Sequence, residues 1–268
     1  MPVPIKAHAQ TDSSSTRGGL TLVLIGLGLL GVASLLALPL EQLVPGPVPY
    51  SPGVFRALAL VQPCVLVIAA AVLGSVLAPQ VALDAPALRL IVEARSPVLV
   101  LKDQARRAVV AALPVGGLIA LFGLSLQTFG ASLDGAALGR LQAFAPPALV
   151  RLLYGGISEE IISRWGLMTL FVWTMWRLSG RPAQPTPAAY WTGLTVAALV
   201  FALGHLPILY ALAGSPPEWV VGFALTANLL AGMVFGYLYW RAGLEAAMMA
   251  HALSHVVGLL LAAVRDSA

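Results

Sequence analysis

The chain contains 268 residues, of which 59% are hydrophobic and only 10% are charged; its mean hydropathy is +0.90 and its formal net charge is +4. This composition excludes a water-soluble globular domain, and the long, continuous apolar runs exclude a membrane β-barrel, whose strands alternate apolar and polar residues. The sequence therefore predicts an all-α, polytopic helical membrane protein with about seven transmembrane helices, or eight as the alternative. The single cysteine, Cys64, excludes a disulfide framework within the chain.

The first half of the chain predicts a tail followed by three membrane-spanning helices. Residues 1–17 are polar and predict a disordered tail, and residues 18–146 contain the first group of helices. Apolar runs predict spans from Leu20 to Leu40, from Ala57 to Ala78 and from Ala108 to Phe129. The strongly charged segment 84–107 lies between the second and third spans, so the positive-inside rule places this segment and the N-terminus in the cytoplasm. Its apolar residues allow part of it to lie along the lipid headgroups, with an ordinary loop as the alternative.

Residues 147–264 form the predicted functional core. No helix breaker occurs from Pro147 to Leu178, which predicts one helix of roughly 48 Å, longer than a ~30 Å hydrocarbon core. Such a helix must tilt or bend, and a break near Arg164 into two helices is the alternative. Three further spans are predicted from Ala188 to Tyr210, from Trp219 to Trp240 and from Ala242 to Val264.

Two adjacent carboxylates, Glu159 and Glu160, lie in the middle of the long apolar helix, with Arg164 one turn further on. At 3.6 residues per turn, Glu160 and Arg164 fall on one side and can pair, while Glu159 points about 100° away. An ionisable group at membrane depth costs at least ~2.5 kcal/mol and therefore indicates a functional site. A purely structural ion pair is the alternative, but it accounts for only one of the two glutamates.

Three histidines also lie inside predicted spans. His205 follows Phe201 by four residues, and His255 follows His251 by four residues, so each pair shares one helix face. Together with Glu159, these histidines are better explained by one shared site than by separate structural roles.

Two kinds of chemistry suit such a cluster. A carboxylate screened from bulk water can act as a general base that activates water, while imidazoles orient the water or donate to an oxyanion. The same groups could instead hold a zinc ion. However, Ala252 stands where the zincin motif carries its glutamate, so the zincin signature is absent.

These residues resemble the CAAX prenyl protease and bacteriocin-processing (CPBP) membrane endopeptidases, a family of glutamic intramembrane proteases. The resemblance covers residues 147–260 and rests on three short motifs in the family's order. The matching residues are Glu159, Glu160 and Arg164 in the first motif, Phe201 and His205 in the second, and His251 in the third. In the third motif the family has Asn or Asp where this chain has His255.

The resemblance implies a role for each of these residues. Glu159 would be the general base and His205 would assist it, while His251 would stabilise the oxyanion with His255 assisting. Glu160, paired with Arg164, would hold the helix in register. Phe201 and Asn228 are the supporting residues, Asn228 because it lies on the approach to the last histidine.

The implied activity is hydrolysis of a peptide bond in a membrane-associated or C-terminal peptide substrate. The expected partners are a peptide or protein substrate and the lipid bilayer, without nucleic acid; the oligomeric state cannot be read from the sequence. No cofactor is expected, and zinc on Glu159, His205, His251 and His255 is the alternative. An ion-coupled transporter and a non-catalytic membrane scaffold are the alternative functions.

Three smaller features of the last two spans carry structural predictions. Gly232 and Gly236 form a small-residue motif that is expected to seat their helix against a neighbour. The Asn228 side chain is expected to make a helix–helix hydrogen bond, with a cavity group as the alternative. Glu245 is expected to complement the N-terminus of the last helix.

Overall fold

A computed structural model describes residues 14–43, 49–144 and 146–267. These ranges contain helices and no strand, and six of the helices are long and apolar enough to cross a membrane. The predicted all-α, polytopic membrane fold is confirmed. The predicted tail lies mostly outside the described residues, and its end is wrong because the first helix already begins at Ser14.

The N-terminal half supplies three long helices and two short ones, joined partly by 3₁₀ turns. The α-helices are α1 (Ser14–Ser34), α2 (Pro52–Leu77), α3 (Pro86–Val92), α4 (Val98–Phe129) and α5 (Gly135–Ala143). The 3₁₀ turns are Leu35–Ala37, Leu40–Leu43, Ala78–Val81 and Gly130–Ser132. The third span begins ten residues earlier than predicted, because the charged segment before Ala108 continues the helix of α4 without a breaker.

The predicted long helix is continuous over 148–178, and we call it the site helix. Its four parts are α6 (Ala148–Val150), a π-helix π1 (Arg151–Glu159), a second π-helix π2 (Ile161–Met168) and α7 (Thr169–Leu178). The alternative break near Arg164 is therefore wrong, and so is the expectation of a regular 3.6-residue period in the middle of the helix. Wide π turns are rare and often mark functional sites. The site helix is not among the six candidate spans, so a total of seven spans stays a prediction.

The remaining helices are α8 (Pro187–Gly204), α9 (Leu206–Ala213), α10 (Glu218–Ala242) and α11 (Leu244–Asp266). The predicted span from Ala188 to Tyr210 breaks at His205, because Pro207 removes a backbone donor and disfavours helical backbone before it. Gly243 alone separates α10 from α11, and its φ of 101° favours glycine.

The charged segment 84–107 is neither an ordinary loop nor only a surface helix. Its helix α3 buries Ala87 and Leu88, while Ile91 is exposed. The Leu88 amide donates a 2.8 Å hydrogen bond to the Glu245 carboxylate, which also accepts one from Gln104 at 2.9 Å. Glu245 thus joins α3 and α4 to the first turn of α11, in addition to the predicted position at a helix N-terminus.

The N-terminal helices hold the site helix in place by close contacts. Ser158 in π1 donates a 2.8 Å hydrogen bond to the Gly28 carbonyl of α1, and Trp165 in π2 donates a 3.2 Å hydrogen bond to the Ala71 carbonyl of α2. Both side chains are buried, so these bonds satisfy polar groups that lipid could not.

Small residues bring the remaining helices together. A Cβ on Gly258 of α11 would lie 2.8 Å from the Ile119 side chain of α4, so these helices touch closely. A Cβ on Gly232 would lie 2.8 Å from Ala198 of α8, and one on Gly236 would lie 3.2 Å from Leu194. The predicted seating of this motif against a neighbouring helix is confirmed.

Candidate active site

The two glutamates of the site helix have different surroundings. The Glu160 side chain is fully buried, and its Oε2 lies 3.2 Å from Nε of Arg164, which is 1% exposed. The predicted pairing of Glu160 with Arg164 is therefore confirmed. The Glu159 side chain stays 22% exposed and makes no ion pair with an arginine in the described part of the chain. One carboxylate is neutralised inside the protein, and the other remains accessible.

His251 of α11 lies between the two carboxylates. Its Nδ1 is 2.8 Å from Oε1 of Glu160, and its Nε2 is 3.9 Å from Oε2 of Glu159. Because an ionised carboxylate can only accept, Nδ1 carries the proton in this contact and Nε2 is turned toward Glu159. Glu160 thus fixes both the tautomer and the orientation of the imidazole that faces Glu159.

Two phenylalanine rings frame these charged groups. The Phe235 ring of α10 stacks on the His251 ring, with centroids 4.7 Å apart and an interplanar angle of 19°. The Arg164 guanidinium carbon lies 4.9 Å from the Phe201 ring centroid and 5.7 Å from that of Phe235. Within the described ranges, the guanidinium nitrogens have no hydrogen-bond acceptor, so the ion pair and the two ring faces supply its stabilisation.

His205 lies at the break between α8 and α9. Its Nδ1 is 2.8 Å from the Phe201 carbonyl, and its ring contacts the Phe201 ring edge-on with centroids 4.6 Å apart. The predicted proximity of Phe201 and His205 is confirmed, and the Phe201 ring links His205 to His251, 6.2 Å away between centroids. In the described part of the chain, no hydrogen bond joins His205 to either glutamate.

His255 lies one turn after His251, and the two rings are 5.1 Å apart between centroids, which confirms their predicted common face. Its Nδ1 is buried and has no hydrogen-bond partner among the described residues. The backbone of π1 approaches closely at Gly155, where a Cβ would lie 3.1 Å from Nε2 of His255 and 3.5 Å from Nε2 of His251. A Cβ at this position would crowd the His255 ring and would stand in ordinary contact with the His251 ring.

Among the described residues, Asn228 makes no hydrogen bond to a member of this cluster. Its side-chain amide donates a 2.8 Å hydrogen bond to the Ala224 carbonyl, one turn earlier in α10. The helix–helix hydrogen bond expected from this donor is therefore wrong, because the donor is satisfied within its own helix.

The four residues considered as zinc ligands do not gather into a metal site. Among the described residues, no three or more His, Cys, Asp or Glu side chains are arranged to hold a metal ion. Nδ1 of His251 is engaged by Glu160 and Nδ1 of His205 contacts a backbone carbonyl, which leaves one nitrogen on each ring. In this arrangement the residues do not fit zinc, which needs converging ligands at about 2 Å.

Sequence reasoning missed two parts of the site, Phe235 and Gly155. Phe235 directly precedes Gly236, and an aromatic residue inside a small-residue motif was the available signal. Gly155 has no side chain that a motif could include, yet its small size permits the close approach of π1 to His255.

Comparison with protein families identifies a match in the region of the chain that contains these site residues. Residues 141–257 match the family model described as type II CAAX prenyl endopeptidase Rce1-like. This region is similar to the Rce1-like family. The match includes every predicted site residue from Glu159 to His255, and it confirms the resemblance read from the sequence. The family and the apolar helices together indicate a membrane protease. Comparisons with curated proteins and with solved structures give no match.

Proposed function

We propose that this protein is an intramembrane endopeptidase that uses Glu159 to activate a water molecule. The observation that carries the proposal is the position of His251, whose two ring nitrogens face the buried Glu160 and the accessible Glu159. A structural ion pair between Glu160 and Arg164 would not require this third group. Glu160 is the positioning residue, and Glu159 with His251 forms the reacting pair.

The separation between Glu159 and His251 suits a shared water molecule. The two facing atoms are 3.9 Å apart, and a water that donates one hydrogen bond to each of them fits that separation. Both donors of the water are then used, so its lone pairs point toward a bound substrate. Glu159, as a carboxylate in an apolar surrounding, is suited to take a proton from the water.

The reaction then proceeds as peptide hydrolysis. Glu159 takes one proton of the water while the water oxygen bonds to the carbonyl carbon of the scissile peptide, and the carbonyl electron pair moves to its oxygen. When the tetrahedral intermediate collapses, the C–N bond breaks and the proton held by Glu159 passes to the leaving nitrogen. One water is consumed, and a carboxylic acid and an amine are formed.

The oxyanion needs an N–H donor. In this proposal His255 supplies it from its buried Nδ1, which has no hydrogen-bond partner among the described residues, while Nε2 of His251 accepts from the reacting water. His205 keeps the role implied by the resemblance, assisting Glu159. Its Nδ1 donates to the Phe201 carbonyl, so Nε2 is the nitrogen of the neutral ring that is left for this role.

The test is peptide release by the purified protein from a mixed peptide library, with and without a chelator. We expect release by the wild type, and a loss of at least ~100-fold in Glu159→Gln with the folded yield unchanged. Glu218→Gln is the matched control, because this exposed glutamate lies at the start of α10 and should have no effect. Release that survives in Glu159→Gln would refute the assignment of the base. Coupled ion flux without any peptide release would favour the carrier alternative.

A further inference from the structure

A second arginine beside the proposed site, Arg151, has no counterion among the residues that the structure describes. It is the first residue of π1 and is half-buried, and its Nε donates a 2.7 Å hydrogen bond to the Pro146 carbonyl. Within ranges 14–43, 49–144 and 146–267, no acidic side chain pairs with Arg151, and its two terminal nitrogens have no acceptor. Arginine stays charged in proteins, so a partly desolvated guanidinium of this kind favours an anion from outside the protein.

Arg164 shows the contrast on the same helix. It is fully buried, yet Glu160 neutralises it and two phenylalanine rings cover it. Among the described residues Arg151 has neither kind of partner, although it lies on the same helix. A structural anchor would be expected to pair internally, as Arg164 does.

Arg151 lies at the end of a row that leads away from the reacting groups. Glu159 faces His251, Gly155 lies against the rings of His251 and His255, and Arg151 stands four residues before Gly155 on the same helix. The row therefore follows the face of the site helix that lies against α11. Eight residues separate Arg151 from Glu159, which corresponds to at most ~12 Å along the helix axis.

We propose that Arg151 binds a carboxylate of the peptide substrate, either the C-terminal carboxylate or an Asp or Glu side chain close to the cleaved bond. This inference rests on the proposed peptidase function and adds a specificity residue to it. The terminal nitrogens of the guanidinium suit a charge-assisted contact with a carboxylate. An extended peptide covers ~12 Å in three or four residues, so the carboxylate should lie within about four residues of the attacked carbonyl.

The experiment uses one mixed peptide library in three forms: with free C-termini, with amidated C-termini, and with Asp and Glu replaced by Asn and Gln. Wild type is compared with Arg151→Gln, Arg151→Lys and the control Arg140→Gln. Arg140 is a matched control because its Nε also donates a 2.7 Å hydrogen bond to a backbone carbonyl, that of Leu212. Cleavage is measured as kcat/KM by mass spectrometry.

We expect the wild type and Arg140→Gln to prefer one carboxylate-bearing form by about 10- to 100-fold, the range of a charge-assisted hydrogen bond. Arg151→Gln should remove this preference without slowing cleavage of the form that lacks the carboxylate, and Arg151→Lys should restore part of it. Loss of the preference on amidation identifies the C-terminus, and loss in the Asn/Gln form identifies a side chain. An equal loss in Arg151→Gln on all three forms would overturn the proposal.

A binding measurement separates this inference from the proposed function. The three peptide forms are titrated onto Glu159→Gln with and without Arg151→Gln, in neutral and in anionic lipid nanodiscs. Carboxylate-dependent binding lost in the double variant supports the inference even if the wild type cleaves nothing, which would refute only the peptidase function. Binding that is the same for all three forms refutes the role of Arg151. An Arg151→Gln effect that follows lipid charge and not peptide charge would make Arg151 a headgroup anchor and would also refute it.

Discussion

Glu160→Gln perturbs both contacts of the buried Glu160 carboxylate, and the two effects can be measured separately. The substitution keeps the size of the side chain but removes the charge that faces both Arg164 and Nδ1 of His251. It therefore leaves a guanidinium that is 1% exposed without its counterion, and it weakens the hydrogen bond that orients the imidazole. The first effect acts on stability and the second on cleavage.

The expected loss of stability follows from the burial of the pair. Removing one partner of a buried ion pair costs about 3–5 kcal/mol, because the other charge stays in a low-dielectric site. At about 2–4 °C per kcal/mol for a chain of this size, the midpoint of thermal unfolding should fall by roughly 10 °C. Cleavage by the protein that remains folded should fall by about 10- to 100-fold, as when a group that orients a functional histidine is removed.

Asp103→Asn provides the matched control for stability. Asp103 and Arg107 also form a pair four residues apart, with Oδ2 and Nε at 2.8 Å, but their side chains are 48% and 42% exposed. Exposed pairs of this kind contribute about 0.5 kcal/mol, so the unfolding midpoint should hardly move. Thermal unfolding in detergent measures both variants under the same conditions.

The double variant Glu160→Gln with Arg164→Met distinguishes the two effects. Replacing Arg164 by an apolar residue of similar volume removes the charge that Glu160→Gln leaves unpaired, so most of the lost stability should return. Cleavage should stay low, because His251 still lacks its carboxylate. If Glu160→Gln is as stable as the wild type, or if the double variant regains full activity, the assigned role of Glu160 is wrong.

Two further predictions concern the third motif and the membrane topology. His255→Asn should keep most of the activity if His255 is a hydrogen-bond donor, because an amide NH₂ can replace the imidazole N–H. If the wild type binds zinc stoichiometrically, and His255→Asn loses both the zinc and the activity, this prediction is refuted. A reporter fused after Arg181 should be cytoplasmic and one near Ser215 external, because the basic residues cluster on the side of Arg181; an external reporter after Arg181 would show that the predicted orientation of the site helix is wrong.

The contacts that sequence predicted correctly are those between residues four apart on one helix. Spacing alone placed Glu160 beside Arg164 and His251 beside His255, and the structure confirms both pairs. Such pairs depend only on local backbone geometry, and they survive even where the helix widens. The order of the motifs along the chain then indicated the resemblance that the match over residues 141–257 supports.

The contact between His251 and both glutamates could not be predicted in this way. Regular α-helical geometry turns Glu159 about 100° away from Glu160, whereas π1 ends at Glu159 and π2 begins just after Glu160. A π-helix has no hydrophobic period of its own in the sequence, because it arises where tertiary contacts compensate for its poorer backbone geometry. Those contacts come from residues far away in sequence, such as Gly28 and Ala71.

The predicted helix boundaries were wrong where they were based on hydropathy alone. The break at His205 lies within an apolar run, and only Pro207 indicates it. The helical start of α4 lies in a charged segment, where hydropathy predicts no span although nothing interrupts the backbone. Hydropathy indicates which segments can lie in lipid, but it does not indicate where the helical backbone hydrogen bonds begin or end.

The N-terminal helices have a definite physical role even though the family match begins only at residue 141. Ser158 and Trp165 flank the two glutamates, and both are buried polar side chains whose acceptors, the Gly28 and Ala71 carbonyls, belong to α1 and α2. Without those helices, lipid would surround a hydroxyl and an indole N–H that it cannot hydrogen-bond, which costs several kcal/mol for each unsatisfied group. The π turns that present Glu159 to His251 would lose their external support at the same time. The residues proposed to react therefore lie in the matched region, whereas the backbone geometry that orients them depends on helices outside it.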